Sequence, residues 1–276
     1  MALLRTISGR VRSFRALENA VKHHGERIAA ILDERFNSIL PDNLKVNFFF
    51  LMLAVIEILR STCDTLTGRE HVLVAERGND TKMRNERDDD ANALRSEMQG
   101  FRDVFEKNYQ PADVEEFGFP PLLGRTPLDL LRQGDHLVQI LGQPDVSVPE
   151  SKFGAELPVP DLVAKVKNLA DKLRASLAGA ERERKMAEVA QVEKNRAQDH
   201  WDVLFLWGAR IVSGLFVWAG ETELAERIVP STRRPGRTED VAREETEGES
   251  ESDGTAAGED NAGETGAPDA TADPAP

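Results

Sequence analysis

The sequence predicts an all-α fold: an elongated helical bundle built on a long helical hairpin plus a long C-terminal helix, followed by a disordered acidic tail. Three observations carry this reading. Apolar residues recur at spacings of three and four in three separate windows, the pattern of helices with one buried face. No stretch alternates apolar and polar residues for long enough to argue for a strand. Charge is also unevenly spread. Thr238–Pro276 hold 13 acidic residues against one basic residue, Arg243, whereas the first 237 residues hold 36 acidic and 34 basic. The chain therefore divides into an N-terminal amphipathic helical segment (1–40), a helical-bundle body (41–230) and an acidic tail (231–276).

In the first segment Leu4, Ile7, Val11, Phe14, Leu17 and Val21 line one helical stripe. Arg5, Arg10, Arg12 and Arg15 precede the first acid, Glu18. Two readings fit this pattern. A membrane-surface helix sets its apolar face in the acyl boundary and its arginines at anionic headgroups. The first helix of a bundle turns the same face inward. Gly9, costing roughly 1 kcal/mol inside a helix, counts against one firm helix here.

Pro41 followed by Asp42 reads as a helix start with Asp42 as N-cap. From there Leu44, Phe48, Leu51, Val55, Leu59, Thr62 and Leu66 form a stripe, and residues 46–59 are apolar nearly all round. Such a helix is normally the central one of its bundle. Gly78-Asn79 reads as a turn, so the windows 43–77 and 80–109 become an antiparallel hairpin. Leu94, Met98, Phe101 and Phe105 supply the second helix's face.

A proline-containing loop from Tyr109 to Arg125 follows. Thr126-Pro127-Leu128-Asp129 then opens a short helix, with Thr as N-cap, Pro in the first turn and an acid beside it. That helix ends near Gly142. The next connection, with Pro144, Pro149, Pro158 and Pro160, reads as extended. From Asp161 a helical pattern runs to Ala219, which is roughly 90 Å at 1.5 Å per residue if unbroken. Gly179, Gly208 and Gly214 are the places where it could bend. Gly220 ends it, a short helix follows around Leu224–Ile228, and Pro230 closes the body.

The inventory of chemistry is nearly empty. No histidine is preceded three residues earlier by an acid, so the Glu-x-x-His of di-iron bundles is absent. Phosphate-binding glycine loops, a GxSxG elbow and a CxxC pair are likewise missing. Asp88-Asp89-Asp90 point in different directions on a helix and cannot converge on one cation. Cys63, within an apolar helix, reads as a small core residue. No catalytic, cofactor-binding or metal-binding residue is assigned, and no cofactor is expected.

One cysteine and no signal-type apolar segment suit a cytoplasmic protein, with a peripheral membrane position as the alternative. No uninterrupted apolar run reaches the 18 or so residues of a membrane span. Arginine outnumbers lysine 25 to 10, the skew of a GC-rich bacterial codon supply. A near-neutral body and an acidic tail disfavour nucleic acid, which needs a net basic footprint. Two strongly apolar helices in a charged helical body also resemble, in pattern alone, proteins that refold to insert hairpins into membranes.

The expectation is a non-enzymatic structural or scaffolding protein acting through helix–helix contacts with a protein partner or with itself. The alternative is a peripheral protein held to an anionic membrane surface by its basic N-terminus. Candidate contact residues are Arg5, Arg10, Arg12, Arg15 and Phe14, together with Trp201, Trp207 and Trp218 of the aromatic segment 201–219. All three tryptophans of the chain lie in that segment.

Overall fold

The computed structural model describes residues 5–119, 122–143 and 159–252. The helices are α1 (Arg5–Leu32), α2 (Phe48–Asn108), α3 (Pro111–Glu116), α4 (Pro127–Leu141), α5 (Val159–Ala219), α6 (Thr222–Ile228) and α7 (Glu239–Ser252). No strand occurs among the described residues; one isolated bridge joins Pro230 to Thr238. Contacts group the chain into two compact units, residues 1–63 with 201–276 and residues 64–200. Both α2 and α5 contribute to each unit.

In the first unit α1 buries Ile7, Phe14, Leu17 and Val21 of the predicted stripe, which Ile28 and Leu32 extend by about three turns; Val11 is half-buried. The helix meets α2 where Gly25 lies beside Phe49 and Glu18 pairs with Arg60, and α5 where Phe14 meets Trp201 and Arg10 pairs with Asp202. Met52, Ile56 and Leu59 of α2 and Phe205, Val212 and Phe216 of α5 are buried in the same unit. In this unit α2 and α5 are antiparallel. Phe36, just after α1, touches both Phe48 at the start of α2 and Trp218 at the end of α5. Further along, Gly208 faces Val55 and Leu59, and a Cβ there would meet Leu59 Cδ1 at 3.0 Å. A glycine lets the two helices approach at this point. Cys63 is buried, as a small core residue.

Two boundaries move. Asp42–Leu44 is a single 3₁₀ turn, and α2 opens at Phe48 instead. The Asn37 side chain donates to Val46 O at 2.9 Å and accepts from Val46 N at 3.0 Å, which pairs the backbone at Val46 and holds it outside the helix. Asn47 Oδ1 then accepts from Phe50 N at 2.8 Å as the actual cap. The turn expected at Gly78-Asn79 is also absent, for α2 is unbroken over 61 residues. A single helix glycine costs only about 1 kcal/mol, which packing of the flanking turns outweighs. The partner lying antiparallel to α2 is therefore α5.

The second unit is organised around aromatic residues of α2. Leu94, Met98, Phe101, Phe105 and Tyr109 pack with Phe117 and Phe119, with Leu130 and Leu137 of α4, and with Val166, Ala170 and Leu173 of α5. Phe117 and Phe119 stand 5.3 and 5.0 Å from the Phe105 ring. Their burial turns the expected loop after Tyr109 into the short helix α3 and its tail. Thr126 caps α4 as predicted, accepting from Asp129 N at 3.2 Å. The connection at 144–158, read as extended, lies outside the described residues.

Both C-terminal helix ends behave differently from each other. At Gly220, φ is +94°, Gly220 N donates to Val217 O and Glu221 N to Phe216 O, the two bonds of a Schellman stop. Pro230, by contrast, does not close the body. Ser231 N donates to Arg237 O at 2.7 Å and Glu239 N to Val229 O at 3.0 Å, folding residues 229–239 back on themselves. Thr238, Val241 and Ala242 are buried. Packed structure thus continues through Glu245, into what reads from sequence as tail. Residues 253–276 lie outside those described.

Candidate interaction surface

The eight candidate contact residues separate into internal and external groups. Arg10 belongs to the interior: Nε and Nη2 donate to Asp202 Oδ1 and Oδ2, each at 2.8 Å, with both side chains largely buried. This bidentate geometry is the stronger kind of ion pair. Phe14 and Trp201 meet edge to face at 6.1 Å, and Trp201 stacks on Phe205 at 5.2 Å. Trp201 Nε1 donates to Gly236 O at 3.0 Å, which satisfies a fully buried indole.

Arg12 reaches Glu244 and Glu245 on α7. Arg15 is exposed. Arg5 opens α1, and its side chain lies outside those described. The apolar face of α1 is thus occupied by its own bundle, and a membrane contact through residues 3–21 would require α1 to undock.

The basic knot STRRPGR is held in place by a carboxylate that sequence reading missed. Glu245 Oε2 lies 3.0 Å from Arg237 Nε and 3.2 Å from Arg234 Nη1. Burial pushes the Arg237 guanidinium below its ordinary value; Glu245 opposes this, while Arg10 and Arg234 add to it. Ser13 Oγ completes the dock, accepting from Thr238 N at 3.0 Å. A signal was present: Thr238, Val241, Ala242 and Glu245 stand at i, i+3, i+4 and i+7, one helical face. The surrounding acidity hides it.

Trp207 and Trp218 are external, at 57% and 58% exposure. They belong to an apolar face on α5 that also exposes Val203, Ile211 and Val217. Beside it α2 exposes Phe50, Leu51, Leu53 and Ile58. Contact at Gly208 fixes how these sets are related. At about 100° per residue, the buried residues of each helix lie to one side of that contact and Leu51, Ile58, Trp207, Ile211 and Trp218 to the other, with Leu53 and Val217 on the outer edges. Together they expose on the order of 800 Å², taking about 150–250 Å² for a whole aromatic side chain. The largest patch on a typical monomer is roughly 300–600 Å².

α2 and α5 each carry an 18-residue window apolar enough to cross a membrane, once up to two charges are allowed, and only 33% and 44% of these windows are buried. The sequence requirement for an uninterrupted run overlooked them. Charge within the face is sparse. Arg210 lies over the Trp207 ring at 5.4 Å, and Glu57 pairs with Arg60, which also reaches Glu18 of α1 at 2.6 Å.

In the second unit a smaller apolar groove is lined by Val72, Met186, Val189 and Ala190, with Glu76 and Glu193 at its edge. Nearby, the buried Glu70 carboxylate lies 4.0 Å from Lys194 Nζ. Cross-helix pairs such as Arg69–Glu193 at 2.6 Å decorate the rim; exposed pairs of this kind contribute little each. No group of three or more His, Cys, Asp or Glu side chains able to hold a metal occurs among the described residues.

The chain matches no protein-family model, no curated protein and no solved structure.

Proposed function

We propose that the protein is a non-enzymatic structural or scaffolding protein that works through helix–helix contacts at the exposed α2/α5 face of its first unit. The observation that carries this reading is the face itself. It presents large aromatic and aliphatic side chains over about four turns of α5 and about two and a half turns of α2, on helices whose opposite sides are already anchored in a core. Leaving roughly 800 Å² of such surface in water has a standing cost of about 25 cal/mol per Å². Covering it with another helical surface recovers that free energy. Aromatic side chains on a rigid support are also what binding surfaces concentrate.

The test is a photocrosslinker placed in the full chain. Ile211→p-benzoylphenylalanine sits in the middle of the face, and Glu226→p-benzoylphenylalanine on exposed α6 serves as control. Polypeptide adducts formed from position 211 and absent from position 226 are the expected result. Absence of polypeptide adducts at both positions contradicts the proposal.

A further inference from the structure

The geometry points to a second copy of this chain as the occupant of the α2/α5 face, paired about a two-fold axis running along the helices. This inference rests on the proposed function and names its partner. Three features support it.

The first is area. A standard specific interface buries about 800 Å² on each partner, close to the roughly 800 Å² the face exposes. A self-complementary contact needs no other surface on the molecule, because the same patch serves both copies.

The second is the helical layer. Two antiparallel helices packed side by side present ridges and grooves that accept an equivalent layer, producing four helices around a shared apolar centre. Trp207 and Ile211 sit mid-face, where a facing layer would desolvate them fully.

The third is charge. Glu57 on α2, which also pairs with Arg60 of its own helix, and Arg210 on α5, which lies over Trp207, flank the face with opposite signs. They stand at nearly the same height, because Gly208 lies against Val55 and Leu59. A two-fold axis along the helices preserves height and lays α2 of one copy over α5 of the other. Glu57 then faces the second copy's Arg210, and the reverse pair forms on the other side of the axis. An axis across the helices would instead set like charges together, which is unfavourable at an interface.

Charge also argues against a bilayer as occupant. Membrane-surface helices combine an apolar face with a Lys/Arg-rich rim, whereas the charges around this face are mixed in sign and already engaged within the chain: Arg35 donates to Trp218 O, Arg60 pairs with Glu57 and Glu18, and Arg210 lies over Trp207.

Sedimentation of the full chain across a dilution series tests the pairing. The expected particle has twice the 30.6 kDa chain mass. Trp207→Glu and Ile211→Glu should each give a monomer of unchanged helicity, since both side chains are exposed. Glu57→Arg or Arg210→Glu alone should weaken pairing by roughly tenfold or more, and the double swap should restore it, as expected when charges face each other across an interface.

A wild-type monomer at every concentration overturns the inference, as does a dimer that survives both glutamate substitutions. Flotation of a monomer with phosphatidylcholine vesicles overturns it in favour of lipid. If the chain is monomeric yet position 211 crosslinks to a different polypeptide, the second copy is excluded and the helix-contact function stands. A monomer without polypeptide adducts removes both.

Discussion

Arg10 and Asp202 meet through two 2.8 Å hydrogen bonds across 192 residues of sequence, tying the first turns of α1 to the aromatic end of α5. Their pairing explains why an arginine whose sequence pattern suits either a headgroup or a bundle stands inside the protein. It also yields the first prediction. Arg10→Ala or Asp202→Ala leaves a buried charge without its partner and should cost about 3–5 kcal/mol. Replacing both with leucine should cost much less. Urea denaturation followed by helicity measures the three variants, and equal losses in single and double substitutions would contradict this role.

The C-terminal hairpin yields the second. A chain ending at Pro235 loses Gly236 O, Thr238 and Glu245. Trp201 Nε1 is left buried without its acceptor, a loss of about 1–3 kcal/mol by itself, and the dock on Ser13 disappears. The melting midpoint should fall clearly. Removing only 253–276, outside the described residues and without an aromatic side chain, should leave it nearly unchanged. Identical midpoints for the two truncations would show that 236–252 do not contribute.

Two helix glycines should respond in opposite directions. Nothing stands within 4 Å of a Cβ built at Gly78, so Gly78→Ala should stabilise α2 by about 0.5–1 kcal/mol. At Gly208 the added carbon meets Leu59 at 3.0 Å and Val55 at 3.1 Å. Gly208→Val overpacks that contact and should cost about 1–3 kcal/mol. Thermal melts report both, and destabilisation by Gly78→Ala would mean that α2 turns there after all.

Acid should loosen the link between α1 and the start of α6. Glu221 is held below the usual carboxylate range, first by the hydrogen bond from Arg27, partly offset by burial, and then by the charges of Arg27 and His24. A depressed carboxylate adds stability above its unfolded value and loses it as pH falls through the lower folded value. The midpoint difference between wild type and Arg27→Ala should therefore be largest near neutrality and vanish in acid. Added salt should shrink it, because the pair is exposed. A difference independent of pH would assign Arg27 a packing role instead.

Where sequence and structure agree, local chemistry and packing point the same way. Thr126-Pro127 and Gly220 each contain their own start or stop signal, and the stripe from Ile7 to Val21 buries the face its spacing defines. The disagreements are tertiary. Gly78-Asn79 has the composition of a turn, but neighbouring turns of α2 hold it helical. Val46 is kept out of the helix by an amide nine residues earlier, which no local window reveals. Arg10 and Phe14 look equally suited to a bilayer or a core until Asp202 and Trp201 are seen opposite them. The exposed face was legible as apolar, and only the position of α1 shows which half of each helix is left uncovered.

Coverage of that face is the central claim, and hydroxyl-radical footprinting of the full chain reads it side chain by side chain. Trp201 is fully buried whereas Trp207 and Trp218 are more than half exposed, so the buried residue provides an internal reference. In dilute protein Trp207 and Trp218 should oxidise much faster than Trp201. At high concentration their rates should fall toward that of Trp201, while exposed Met186 in the second unit stays reactive. Rates for Trp207 and Trp218 that remain high and unchanged with concentration and with every polypeptide crosslinked at position 211 would contradict the account.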